Sequence, residues 1–169
     1  MTLLALDFGG AKHVLSQPFT LRYGAEGRDR THVPDILAAT PEGMWLIDVR
    51  PAAQIKEGDR VAFAAAAEAA LACGWRYAVV AGWPPQIVAT LEAISAQRRE
   101  LVDHFGFEPL LLAATRAGQM TFGELVATTD LPAVARAHAV HLLWNRRLGI
   151  DLAAALTDSS SVWAGGDGR

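Results

Sequence analysis

Asp35, Asp48 and Arg50 are the residues whose types and spacing could do chemistry. Asp48 interrupts an otherwise apolar run, MWLIDV (44–49), and burying an unpaired carboxylate is costly. A divalent cation would offset that cost. Mg²⁺ takes hard oxygen ligands in octahedral geometry and keeps several of its waters. Two carboxylates from neighbouring strands could hold it, with the backbone carbonyl of Val49 as a third ligand. Such an ion polarises a phosphoryl oxygen and acidifies an attacking water. Residues two apart on a strand share a face, so Arg50 is expected beside Asp48, where it could touch a phosphate or the attacking water. Residue types alone leave a plainer alternative open: Asp48 and Arg50 as a same-face ion pair on an edge strand, and Asp35 as a turn cap.

Further polar residues surround this trio in the sequence. His32 precedes Asp35 by three and, on a continuous strand, faces the other way, so direct ligation is not expected. It is a candidate for a contact to the ion's waters or to DNA, as are Gln17, Arg22, Gln54 and Lys56. Arg136, Arg146 and Arg147 form the main basic group outside the site and are candidate phosphate contacts. Trp75 and Tyr77 are expected to pack against the sheet, and Cys73 to sit in the core. His138 and His141 share a helical face without further ligands at metal-site spacing, and are expected to pack. Gly9 and Gly10 lie in no phosphate-cradling motif, so no nucleotide cofactor is expected.

The elements that must position these residues can be read from pattern. TLLALD (2–7) suits a strand or the end of a helix. LSQPFTLRY (15–23), HVPDILAAT (32–40) and MWLIDVR (44–50) read as three strands, joined by GAEGRDR (24–30) and PEG (41–43) as turns, in an antiparallel meander. DRVAFAAAAEAALAC (59–73) reads as a helix capped by Asp59. WRYAVVAGW (75–83) reads as a strand reached by a crossover and parallel to the third. Residues 84–106 read as one long helix after a double proline. Beyond them come a short helix (110–118), a helix with a Thr121/Glu124 capping box (121–129), a stronger helix (131–147) and a hairpin from 148–156 and 160–164. That order matches a winged-helix module. The expected division is a core over 1–108, a winged-helix-like module over 109–164 and a flexible tail over 165–169.

The 169 residues, 51% of them hydrophobic, suffice for a packed core. A net charge of −3 argues against autonomous, tight, non-specific nucleic-acid binding. The single cysteine can form neither an intrachain disulfide nor a zinc cluster, and fits a reducing cytoplasm. No signal peptide is expected from MTLLALDFGG. No apolar run approaches the roughly 20 residues of a membrane span, so no membrane partner is expected and the location is read as cytoplasmic.

The spacing of PD, about a dozen residues, then D-x-R resembles the PD-(D/E)XK nuclease superfamily. Within it the chain is similar to TnsA-like endonuclease subunits of heteromeric transposases, in their short actinobacterial form. The matching stretches are LDF (6–8), SQPFTLRY (16–23), HVPDILAATPEG (32–43), LIDVRPAAQI (46–55), FAAAAEAALACGWRYAVV (63–80) and HAVHLLWNRRLGIDLAAAL (138–156). The resemblance implies an α/β fold: a restriction-endonuclease-like core, with a mixed sheet flanked by helices, and a small C-terminal helical or winged-helix-like module. It implies Asp35 and Asp48 as ligands of Mg²⁺, with Mn²⁺ able to substitute, and Arg50 at the position of the superfamily's lysine. An arginine there is too basic to act as a general base and is assigned to phosphate contact or transition-state charge. The implied partners are DNA and a DDE-type transposase, and the implied reaction is phosphodiester hydrolysis at transposon ends. The family's usual glutamate, on a helix ahead of LDF, has no counterpart in residues 1–5. Glu68 or another acid in its place, an upstream start, or weak metal affinity is expected. A catalytically weak or inactive adaptor that binds transposase or DNA is the alternative, and a restriction or repair nuclease outside transposition is a third.

Overall fold

A computed structural model describes residues 1–166 and divides the chain into two compact units, Met1–Trp83 and Pro84–Arg169. The first unit runs α1 (Thr2–Phe8), β1 (His13–Ser16), β2 (Leu21–Ala25), β3 (Arg28–His32), β4 (Ile36–Thr40), β5 (Gly43–Val49), α2 (Glu57–Ala72) and β6 (Arg76–Val80). Its main sheet has the order β1-β4-β5-β6. The first two pairings are antiparallel and the last is parallel, because α2 carries the chain across one face before β6 begins. This is an α/β fold with a mixed sheet flanked by helices.

The expected strand LSQPFTLRY is two strands in different sheets. Gln17 takes a left-handed backbone (φ 49) and Pro18 brings no N–H, so the ladder breaks there. The chain leaves into a separate β2–β3 ribbon before returning as β4. Only Glu26 and Gly27 form the turn expected over 24–30. Both have positive φ, and Ala25 pairs with Arg28, as a two-residue hairpin turn requires. Residues 32–40 are likewise not one strand, since residues 33–35 separate β3 from β4 around the buried Pro34.

Alternation along β5 divides its side chains. Ile47 packs with Ile36 and Ala38 against Leu6 of α1 and Val80. Leu46 packs with Ala66 and Ala70 of α2, joined by Phe19, Leu21 and Tyr77. The small residues of α2 let the helix lie close to the sheet. Cys73, expected in the core, is exposed at the end of that helix. The sheet-facing positions recur as Ala62, Ala66 and Ala70, and Cys73 follows them at helical spacing, but it is the cap residue beyond the last turn, where the helix ends and residues 71–74 are all exposed.

The second unit runs α3 (Pro85–Ser95), α4 (Phe107–Ala117), β7 (Met120–Thr121), α5 (Phe122–Val126), α6 (Pro132–Trp144), β8 (Leu148–Gly149) and β9 (Ser161–Ala164). The strands form an antiparallel sheet in the order β7-β9-β8. The helix expected over 84–106 ends at Ser95. Gly106 is left-handed (φ 69), and the Asp103 carboxylate accepts the N–H groups of Phe107 (2.9 Å) and Glu108 (2.8 Å), so the polar segment caps a new helix. The boundary expected at residue 108 falls inside this unit. The Thr90 hydroxyl donates to the Ala154 carbonyl (2.9 Å), and His141 Nδ1 meets the Gln97 carbonyl (2.8 Å), so α3 and its following loop belong with the later helices. Of the tail expected over 165–169, Gly165 donates its N–H to the Arg147 carbonyl at 2.9 Å, and residues 167–169 lie outside the described residues.

Two capping carboxylates are expected to make this unit acid-sensitive. Burial pushes the Asp103 carboxyl up, but the N–H groups of Glu108 and Phe107, the nearby His138 and the Gly106 N–H outweigh it and hold the group below its ordinary range. The Thr121 N–H and hydroxyl do the same for Glu124. A depressed folded value gives stability that is full above the ordinary carboxylate pKa, about 4, and lost as pH falls through the lower folded value. Thermal melts are therefore expected to show a loss of Tm below about pH 4, shallower in Asp103→Asn.

Candidate functional site

Asp35 lies one residue before β4 and Asp48 one residue before the end of β5. Both line a cleft of about 220 Å³ together with His32, Val33, Val49, Arg50, Asp59 and Phe63. The Asp35 carboxylate is tied to the neighbouring strand, with Oδ2 accepting the Val49 N–H at 2.7 Å. Gln17 contributes through its backbone, its N–H donating to the Asp35 carbonyl at 2.9 Å. The trio expected from sequence is thus assembled in one place, and Val49 stands within it.

Asp48 is 1% exposed. The Tyr77 hydroxyl donates to its Oδ2 at 2.7 Å, and His32 Nε2 lies 2.9 Å from its Oδ1. With the proton on Nε2, the imidazole donates as well. Tyr77 pairs in register with Leu46 on the parallel β6, which brings its side chain to the face that carries Asp48. Burial, the bond to Asp48 and the charges of Asp48 and Asp35 push the Tyr77 hydroxyl far above the range of a free phenol, so it keeps the proton that it donates to Asp48. His32 shares the cleft with Asp35, contrary to the expectation of opposite faces. The strand alternation behind that expectation fails because β3 stops at His32.

Arg50 reaches the cleft from beyond β5, and its Nη2 donates to Asp59 Oδ1 at 2.7 Å. Asp59 also accepts the Lys56 N–H on Oδ2 at 2.9 Å, so one carboxylate closes the first turn of α2 and holds the guanidinium. The Lys56 N–H and the Arg50 side chain both hold the Asp59 carboxyl low, and the Asp59 hydrogen bond and charge raise Arg50 further. Sequence reasoning read Asp59 as a helix cap only.

The other candidates lie elsewhere. Gln54 and Lys56 are exposed outside the lining of the cleft. Arg22 lines a different groove on the β2–β3 ribbon with Asp29 and Arg30. Glu68 is exposed, away from the sheet-facing Ala62, Ala66 and Ala70, and is not among the residues that line the cleft. In the second unit Arg136 pairs with Asp158 (2.6 Å) and lies over Phe122, while Arg147 pairs with Glu108 (2.9 Å). His138 is buried as expected, edge-on to Phe107.

The donor set decides what the cleft can hold. Among the described residues, no group of three or more His, Cys, Asp or Glu side chains is placed to hold a metal ion. Two carboxylates suit a hard cation that keeps several waters, as Mg²⁺ does, and not a dehydrated ion within an all-protein cage. Among the described residues no helix is long and apolar enough to cross a membrane. No family model matches the chain, and no curated protein matches it.

Proposed function

We propose that the chain is a metal-dependent DNA endonuclease of TnsA-like kind, a cytoplasmic subunit of a heteromeric transposase that hydrolyses phosphodiester bonds at transposon ends. The observation that carries this reading is the convergence of Asp35, Asp48 and Arg50, from separate stretches of sequence, in one cleft. Asp35 and Asp48 would hold Mg²⁺ or Mn²⁺, with the Val49 carbonyl beside them. The ion supplies a Lewis acid and an acidified water. Arg50 carries a permanent positive charge and stabilises the negative charge that develops on the phosphoryl group.

On this reading the restriction-endonuclease-like core lies in the first unit. The order α4, β7, α5, α6, β8, β9 is the helix, strand, helix, helix, hairpin order of a winged helix, and supports such a module in the second. Phosphates would compete there for Arg136 and Arg147, now paired with Asp158 and Glu108, with Arg146 beside them. A DDE-type transposase as the partner that recognises the ends accords with the net charge of −3, which disfavours DNA binding by the chain alone.

The absence of a third acidic ligand among the described residues favours one other reading, a catalytically weak adaptor that binds transposase or DNA. Nicking of supercoiled plasmid in Mg²⁺ or Mn²⁺, alone and with the cognate transposase and its end DNA, separates the two. Nicking that EDTA abolishes, and that Asp35→Ala and Asp48→Ala lack, is expected. No nicking in either setting sinks the enzyme reading and leaves the adaptor.

A further inference from the structure

Asp48 is almost completely buried, and among the described residues no lysine or arginine pairs with it. Its two oxygens are met instead by two groups from other elements: the Tyr77 hydroxyl from β6 at Oδ2 and the His32 imidazole from the end of β3 at Oδ1. We propose that His32 and Tyr77 are positioning residues which preset the Asp48 carboxylate for a divalent cation and so set the affinity of the site. The proposal rests on the reading above, that Asp48 holds such an ion.

A site with two carboxylates attracts a cation less strongly than one with three, and here no group of three is assembled among the described residues. Affinity must then come from a ligand already in its binding orientation, because ordering a side chain on binding subtracts from the free energy gained. A carboxylate offers about four lone-pair directions. One donor on each oxygen fixes the plane of the group and leaves the remaining pairs to an ion and its waters. The donors are themselves held. The backbone register of β5 and β6 sets Tyr77 opposite Leu46, and the Phe63 ring of α2 stands edge-on to His32 with centroids 6.2 Å apart. Neither donor is a lysine or an arginine, so neither brings the permanent positive charge that would repel the cation.

The test is Mn²⁺ binding by the full chain, measured by calorimetry and by the loss of the free-ion paramagnetic resonance signal. Melting curves establish that each variant is folded. The wild type is expected to bind and Asp48→Asn to lose binding. Tyr77→Phe and His32→Leu are each expected to weaken binding by about 10- to 100-fold, the usual effect of removing a group that orients a metal ligand. His32→Gln keeps an N–H donor and is expected to recover part of the loss. Wild-type affinity in folded Tyr77→Phe and His32→Leu, with Asp48→Asn still inactive in binding, overturns the positioning role and leaves the ion reading intact. Absence of Mn²⁺ binding by the wild type overturns the ion reading and the positioning role with it. Should His32→Leu unfold, Tyr77→Phe, which removes one oxygen and no volume of ring, decides the matter.

Discussion

Asp48→Asn is expected to lower metal-dependent nicking by at least about 100-fold, or about 2.7 kcal/mol of transition-state stabilisation, while leaving the melting temperature nearly unchanged. The reason lies in the partners of the carboxylate. A phenol hydroxyl can donate or accept, so Tyr77 can turn from donor to acceptor toward the new amide while His32 still meets its carbonyl. Shape and hydrogen bonds survive, and only the charge is lost. Asp48→Ala instead leaves Tyr77 and His32 around an empty space, and unsatisfied buried polar groups cost about 1–3 kcal/mol each. Asp35→Asn should match Asp48→Asn in activity, because its carbonyl can still accept the Val49 N–H. Plasmid nicking and thermal melts on the same preparations check both halves. A nicking rate for Asp48→Asn within about tenfold of wild type, roughly 1.4 kcal/mol, would remove Asp48 from the chemistry.

Arg50 gives the second large effect. Arg50→Ala is expected to reduce the nicking rate by about 100- to 1000-fold, the scale seen when one preorganised partner of transition-state charge is deleted. Arg50→Lys should retain activity within about tenfold. Arginine and lysine differ most where two parallel bonds or stacking are needed, whereas Arg50 is seen to make one bond, from Nη2 to Asp59 Oδ1. A lysine ammonium can make one such bond and is the group the resembled superfamily places there. Single-turnover rates at saturating metal separate a loss in the chemical step from weaker ion binding. An Arg50→Lys variant as impaired as Arg50→Ala would show that guanidinium geometry, and not charge alone, is required.

The parts of the fold that were legible in the sequence were those fixed by local patterning. The polar interruption of MWLIDV marked Asp48, the alanine-rich run marked α2, and Thr121 with Glu124 marked α5 through a capping box that forms as expected, Glu124 N–H to Thr121 Oγ1 at 3.2 Å. Illegible parts depended on conformations or partners distant in sequence. The break at Gln17 needs a left-handed residue that its type does not announce. The stop after His32 defeated the alternation that should have turned it from Asp35. Tyr77 reads as a packing aromatic until β6 is placed beside β5. Its hydroxyl was the available signal, since a phenol buried against a sheet needs a hydrogen-bond partner. Asp59 was read as the cap at the start of a helix over 59–73; the helix starts at Glu57, and Asp59 lies in its first turn, reaching back to the Lys56 N–H, while its second bond, to Arg50, is invisible without the turn between β5 and α2.

The sheet of the first unit ends on β1 and β6, and an edge strand presents unpaired backbone groups to any other chain. Both edges are short, with four and five residues. Beyond Ser16 the chain turns away at Gln17 and meets Pro18, and beyond β6 it meets Pro84 and Pro85. Lys12 stands one residue before β1, a charge that disfavours stacking of one sheet edge on the next. Proline denies a growing ladder its next N–H, so the exposed Val14 and Leu15 of β1 lack the length of flat strand on which a fibril could template. The same kink that bonds the Asp35 carbonyl through Gln17 also ends the β1 edge, a device by which sheet proteins limit edge-to-edge pairing.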